Sequence, residues 1–283
     1  MKGENRMSAG SDRDDSYLVA AVQMVSGDNV QENLRQAEQL IAQAARDGAR
    51  LVGLPEYFCL LSADETAKVR IAEAEGDGPI QTFLKESAAR HGVWISGGTL
   101  PIRCDVPGKV YNTSFLYGPD GSQVARYDKI HLFSYTGETE RFDEGRTILA
   151  GRTPVRVDCS LGSIGISVCY DLRFPEIYRS MLPTDLILVP SAFTYTTGQA
   201  HWSTLLKARA IENQCYVLAP AQGGMHPHGR QTWGHSVLID PWGEIIAQLE
   251  QGLGVVMGQL SHKRIRDVRQ ALPALQNRTI GNE

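Results

Sequence analysis

Residues 17–56 read YLVAAVQMVSGDNVQENLRQAEQLIAQAARDGARLVGLPE, and the change of period within them decides the fold. Leu18-Val19-Ala20-Ala21-Val22-Gln23 is short and almost uniformly apolar, which predicts a strand covered on both faces. Asp28 or Asn29 then offers a side-chain acceptor for the free N–H groups of a helix start. Leu34, Ala37, Ile41, Ala44 and Ala45 keep to one face at a period of about 3.6 residues. Asp47-Gly48 stops that helix, and Leu51-Val52-Gly53-Leu54 predicts a second buried strand that ends at Pro55-Glu56. Strand, helix and strand in this order form a parallel β-α-β unit.

The pattern continues outward from this unit. Pro79 opens a helix with Ile80, Phe83, Leu84 and Ala88 inward and His91-Gly92 at its end, before a strand over Val93–Gly97. Gly118-Pro119-Asp120-Gly121 is turn chemistry between two β-rich runs, so YNTSFLYGPDGSQVARYDKIHL predicts a hairpin that runs out at Lys129. The second half repeats this grammar. Strand Ile164–Val168 leads to Cys169, a helix begins near Pro175, and Leu186–Val189 is a buried strand. A helix over Ser203–Asn213 leads to strand Tyr216–Ala219, and SVLIDPWGEIIAQLE closes with a hairpin turning at Asp240-Pro241-Trp242-Gly243. Two such halves imply sheets packed together with helices outside, a layered α-β-β-α sandwich. We expect one domain over residues 17–270, a disordered polar leader over 1–16 with Met7 as an alternative start, and a C-terminal tail over 271–283.

Composition narrows the function. A net charge of −4 and a pI near 6.0 give no support for nucleic acid or an anionic membrane as partner. No run approaches the ~18 apolar residues of a membrane span, and MKGENRMSAGSDRDDS has no apolar core of a secretory signal. Cys59, Cys104, Cys159, Cys169 and Cys215 are scattered and odd in number, so a disulfide framework is not expected and a reducing cytoplasm is the natural setting.

Three reactive side chains occupy the same kind of place. Glu56, Lys129 and Cys169 each follow a predicted strand, and strand carboxyl ends gather on one rim of an α/β fold. Together a thiol, a carboxylate and an ammonium can hydrolyse an amide by attack, proton transfer and oxyanion neutralisation. The cation should also draw the thiol below its usual pKa of about 8.5. Taken singly, each residue reads first as a loop carboxylate, a surface lysine or a core cysteine, and only their shared placement favours chemistry. Arg173, four residues past Cys169, suits a substrate carboxylate with its planar fork, or a salt bridge to Asp171 or Glu176. Tyr195, Thr196 and Thr197, after strand Leu186–Val189, are candidate pocket walls.

Other signals point to structure. His226, His228 and His235 lack a Cys or carboxylate at zinc spacing, so no metal is expected, and Gln222–Gly234 reads as a polar loop over the pocket. His131 and His201 are not needed beside a glutamate and a lysine, and AHW before Ser203 reads as structural. Arg209 and Glu212, at i and i+3, form an ion pair on a helix, and Cys215 is core. Without a G-x-G-x-x-G or P-loop, no nucleotide or other cofactor is implied.

The wording around the three reactive residues adds to this. LPEYF at Glu56, YDKIHLF at Lys129 and CYDLRFPE at Cys169 resemble, in order, the nitrilase superfamily of carbon–nitrogen hydrolases. PSAFTYTTGQAHWSTLLKARAIENQCYV and WGHSVLIDPWGE extend the likeness, which runs from about Tyr17 to Arg278. The resemblance implies the four-layer sandwich of that superfamily, with Cys169 as nucleophile, Glu56 as general base and Lys129 as oxyanion stabiliser. It implies a second glutamate beside them, matched to Glu138 in TGETERFDEG, and the backbone N–H of Tyr170 is a candidate second oxyanion donor. It makes Arg173 the ligand of a substrate α-carboxylate and a homodimer packed through outer helices the expected assembly. TGQAHW, ENQCYVLAPAQGG, HPHGRQTWGHS and LPALQNR place the likeness in the branch acting on α-ketoglutaryl amides. The expected substrate is deaminated glutathione, cleaved to α-ketoglutarate and Cys-Gly. The ω-amidase substrate α-ketoglutaramate, a carbamoyl amide, or a non-catalytic interaction role on the same fold are the alternatives.

Overall fold

The computed structural model describes residues 15–137 and 141–280. Two mixed sheets lie face to face. The first runs in the order Gly254–Ser261, Ser16–Gln23, Ala49–Gly53, Trp94–Ser96, Val110–Tyr117 and Leu100–Arg103, with Gln123–Asp128 also paired to Val110–Tyr117. The second runs Ile245–Leu249, Ser236–Ile239, Tyr216–Ala219, Leu186–Leu188, Gly162–Ile166 and Val155–Cys159. In each, three parallel strands join antiparallel hairpin strands, so the repeated grammar of the sequence is a repeated topology.

The first strand shows why its run is apolar throughout. Val19 and Ala21 pack between the sheets with Ile164, Leu188 and Leu218, whereas Ala20 and Val22 pack under Leu34, Ala37 and Ile41 of the helix Val30–Arg46. Both faces are buried, so period two has no polar partner to display. Asn29, rather than Asp28, caps that helix through the Glu32 N–H at 3.1 Å. Beside it lies Pro79–His91, closed by Gly92 at φ 64°, where a side chain would be strained. Pro175–Ser180 and Tyr195–Asn213 cover the second sheet, completing the α-β-β-α layers.

Some elements differ from expectation. The helix expected over Ser203–Asn213 begins at Tyr195, with Thr194 as its cap. Its first turns hold Thr196, Thr197 and Gly198, all poor helix formers, and tertiary packing overrides them. Gly198 sits against Trp233 so closely that a Cβ there would lie 2.2 Å from the Trp233 Cβ. The expected loop over 222–234 contains a hairpin, Gly223–Met225 with Gln231–Trp233. Strand Gly254–Ser261 pairs antiparallel along the whole first strand and leads into the helix His262–Ala271; neither carried a clear period signal.

Candidate active site

Glu56, Lys129 and Cys169 converge at the same end of the two sheets. Glu56 lies three residues past Gly53, Lys129 one past Asp128, and Cys169 three past Ile166. All are buried: 1 % of Glu56 and none of Lys129 reaches solvent. Lys129 Nζ donates to Glu56 Oε1 at 2.9 Å. Asn112 Nδ2 donates to Glu56 Oε1 at 2.9 Å, and the Ala192 N–H to Oε2 at 3.0 Å. The Glu56 carboxylate is thus fixed from both sheets, by a strand of the first and a loop after a strand of the second.

Glu138 lies outside the described residues, and the second carboxylate found on Lys129 is Glu144. Its two oxygens accept from Nζ at 3.0 and 2.8 Å, and from Tyr57 Oη and the Phe133 N–H, both at 2.7 Å. The pairing of Ser134–Thr136 with Arg141–Asp143 returns the chain to Phe133 and so delivers Glu144 to the lysine. RFDEG offered no period or spacing signal for this, because the hairpin register alone sets which acidic residue arrives. Asn112, a polar residue inside a predicted strand, was the legible hint of a further partner.

The turn that carries the thiol is strained and braced. Cys169 sits at φ 49°, in the left-handed region that a non-glycine residue enters only when its surroundings hold it there. Its N–H donates to the Pro190 carbonyl, and the turn closes through Asp171 N–H to Val168 and Phe174 N–H to Asp171. The Tyr170 N–H is not used by those bonds. Buried Asp171 accepts from Tyr127 Oη at 2.6 Å, the Val168 N–H at 2.9 Å and the His131 N–H at 3.0 Å. It also pairs with His131 Nδ1 at 2.7 Å, which assigns His131 a structural place between the lysine strand and the thiol turn. Arg209, paired with Glu212, donates to the Leu172 carbonyl at 2.8 and 3.1 Å.

The electrostatics separate the four groups. Burial pushes the Cys169 thiol well above its ordinary value, Glu56 adds to this, and the pull of Lys129 does not overcome them. The expected lowering of the thiol by the cation is therefore corrected: burial and Glu56 raise it instead. Burial likewise raises Glu56, against the attraction of Lys129 and with the help of the Glu144 charge. Burial acts on Glu144 in the same sense, but Lys129, Phe133 N–H and Tyr57 together take it below the usual carboxylate range. Lys129 is held well above its ordinary value, because the two carboxylates outweigh burial. Two neighbouring carboxylates with values pushed apart suit one to carry a proton and the other to remain an anion.

A pocket opens beside the thiol, lined by Phe133, Cys169, Tyr170, Arg173, Phe193 and Thr197 among others. Arg173 lies within 6 Å of the Tyr170 and Phe193 rings and meets His201 Nδ1 at 3.2 Å; neither Asp171 nor Glu176 is its ion-pair partner. Of the three residues expected as walls, Thr197 lines the pocket. Tyr195 is exposed and packs edge-on to Trp233, and Thr196 is exposed, because a helix already under way turns successive side chains by about 100°. Phe133 also borders a wider cleft whose wall includes Tyr57, Lys68, Phe142, Glu144 and Arg230.

The histidines that suggested a metal are apart in role. His226 is buried between the Ser26 carbonyl and Thr232 Oγ1, His228 faces Asp28, and His235 stacks on Trp233. Among the described residues no group of three metal-ligating side chains converges, and no helix is long and apolar enough to cross a membrane.

Residues 18–270 match the carbon-nitrogen hydrolase family. The chain belongs to this family. It is an enzyme that hydrolyses amides. This hydrolase is similar to the deaminated glutathione amidases of Synechocystis sp. (strain PCC 6803 / GT-S), 46% identical with 93% of this chain and 98% of that protein covered, and of Yersinia enterocolitica, 40% identical with 92% of each covered. The crystal structure of Saccharomyces cerevisiae Nit3, described as a member of branch 10 of the nitrilase superfamily, superposes with a TM-score of 0.84. That comparison is at 28% identity and covers 96% of this hydrolase and all of Nit3.

Proposed function

We propose that this hydrolase cleaves a small carboxylate-bearing amide through a thioester on Cys169, with deaminated glutathione as substrate and α-ketoglutarate and Cys-Gly as products. Arg173 carries the substrate part of this reading: it lines the pocket of the thiol, and no carboxylate among the described residues pairs with it. A bidentate bond to the α-carboxylate of the acyl half would fix the amide carbonyl over Cys169. The names of the Synechocystis and Yersinia relatives support the same substrate.

The steps follow from the protonation states. Cys169 Sγ attacks the amide carbonyl carbon as its proton passes to Glu56, and the carbonyl oxygen takes up negative charge. Lys129 carries three N–H groups and can turn one to that oxygen, with the Tyr170 N–H as second donor. As the oxygen reforms its double bond, the C–N bond breaks and Glu56 returns its proton to the leaving nitrogen. Water then attacks the thioester, Glu56 takes its proton, and Cys169 leaves as the thiol. Glu144 remains ionised throughout and holds Lys129 in place.

The same reading includes one hydrolase domain over residues 17–270, a cytoplasmic setting consistent with five cysteines outside any disulfide, and a homodimer. The test compares purified protein on deaminated glutathione and α-ketoglutaramate at equal concentration. A higher kcat/KM on deaminated glutathione, with an acyl adduct on Cys169 by intact mass, is expected. A large preference for α-ketoglutaramate would overturn the substrate and leave the chemistry standing.

A further inference from the structure

The wider cleft contains four acidic side chains and two basic ones, and their pairings are unequal. Asp64 pairs with Arg70 at 2.7 Å, Glu65 with Lys68 at 3.1 Å, and Glu144 with Lys129 at 2.8 Å, while Asp143 accepts from the Gly145 N–H at 3.1 Å. Lys68 further donates to Thr147 Oγ1 at 3.3 Å. Arg230 is different. It has no carboxylate partner among the described residues, and its Nε is buried without a hydrogen-bond acceptor. Its guanidinium lies over the Phe142 ring at 5.2 Å, and both residues line the cleft. A buried donor on a charged group without an acceptor is costly, so an arrangement that leaves one needs an occupant.

The cleft also borders the reactive cluster. Glu144, which holds Lys129, forms part of its wall, and Phe133 borders both this cleft and the pocket of Cys169 and Arg173. An amide lying across Cys169 with its acyl carboxylate at Arg173 therefore directs its leaving group past Phe133 toward Arg230.

We propose that Arg230 is a specificity-determining residue that binds a carboxylate on the amine leaving group, so that the enzyme reads its substrate as an anion at both ends. This rests on the reading above for the acyl half only. The binding group comes from the hairpin whose turn follows His226, and the His226 N–H to Arg230 carbonyl bond at 2.8 Å with the buried His226 side chain fixes where it starts.

The test is the ratio of kcat/KM for α-ketoglutaryl-Cys-Gly to that for its C-terminal carboxamide, in the parent protein and in Arg230→Met, which keeps an unbranched stem over Phe142. Loss of one charge-assisted pair corresponds to a factor on the order of 10- to 100-fold. The parent should favour the free carboxylate by that factor, and the ratio should fall close to one in Arg230→Met, with Arg230→Lys between. A parent ratio near one, or a ratio unchanged in Arg230→Met whatever its overall activity, overturns the proposal. If the parent cleaves neither α-ketoglutaryl compound, the acyl assignment fails instead, and the same ratio is read on N-acylglycine and N-acylglycinamide pairs of the acyl group it does cleave.

Discussion

Lys129 is the residue at which the buried ion pairs and the proposed chemistry meet. It is fully buried between Glu56 and Glu144, so Lys129→Met leaves two carboxylates without their cation in a desolvated site. Removing one partner of a buried ionic group costs about 3–5 kcal/mol. We expect a lowered melting temperature together with a loss of kcat, the latter about 10²-fold or more if the lysine stabilises the oxyanion; a variant with unchanged kcat would remove Lys129 from the mechanism. Glu56 gives a sharper signature. As the proposed base it must be ionised in the free enzyme, and its value is raised, so kcat/KM should fall as pH drops through a point above the ordinary carboxylate value of 4.5. The Glu144 charge is one cause of that elevation. Glu144→Gln should therefore move the acid limb to lower pH, and a limb that stayed in place would separate the two carboxylates.

At the scale of elements, the helix Tyr195–Asn213 does more than cover a sheet. It supplies Thr197 to the pocket and, through Arg209, a brace on the Leu172 carbonyl within the thiol turn. Gly198 lets it lie on Trp233 of the 223–233 hairpin, the same hairpin that presents Arg230. Gly198→Ala should push helix and hairpin apart. Overpacking of this kind costs about 1–3 kcal/mol, visible as a fall in melting temperature of about 2–4 °C per kcal/mol. An unchanged melting temperature would show that the contact yields without cost. This helix start was hard to read because Thr196, Thr197 and Gly198 lack helix propensity, and what stabilises them is a distant tryptophan. By contrast Val30–Arg46 was legible, since its capping residue and inward face lie within its own sequence.

For the whole molecule, the two outer helix layers leave an apolar patch. Ile211 on the long helix and Trp242, Ile245 and Ile246 on the adjoining hairpin are exposed, and Gly243 packs directly on Ile211. In line with the proposed homodimer, light scattering should give twice the 31.1 kDa chain mass, and Ile211→Glu should shift it to the monomer; a monomeric parent would sink that part of the reading.

The sequence by itself determined the strand and helix order, the doubling of the fold, and three reactive residues at strand ends. Those features depend on local periodicity, capping and turn chemistry, which neighbouring residues carry. Only the tertiary structure decided that Glu144 meets Lys129, that burial raises the Cys169 thiol, and that Arg230 lines a cleft with no carboxylate partner among the described residues. Each of these depends on burial and on contacts between residues far apart in the chain. Desolvation and pairing act through space, so no local pattern in the sequence records them.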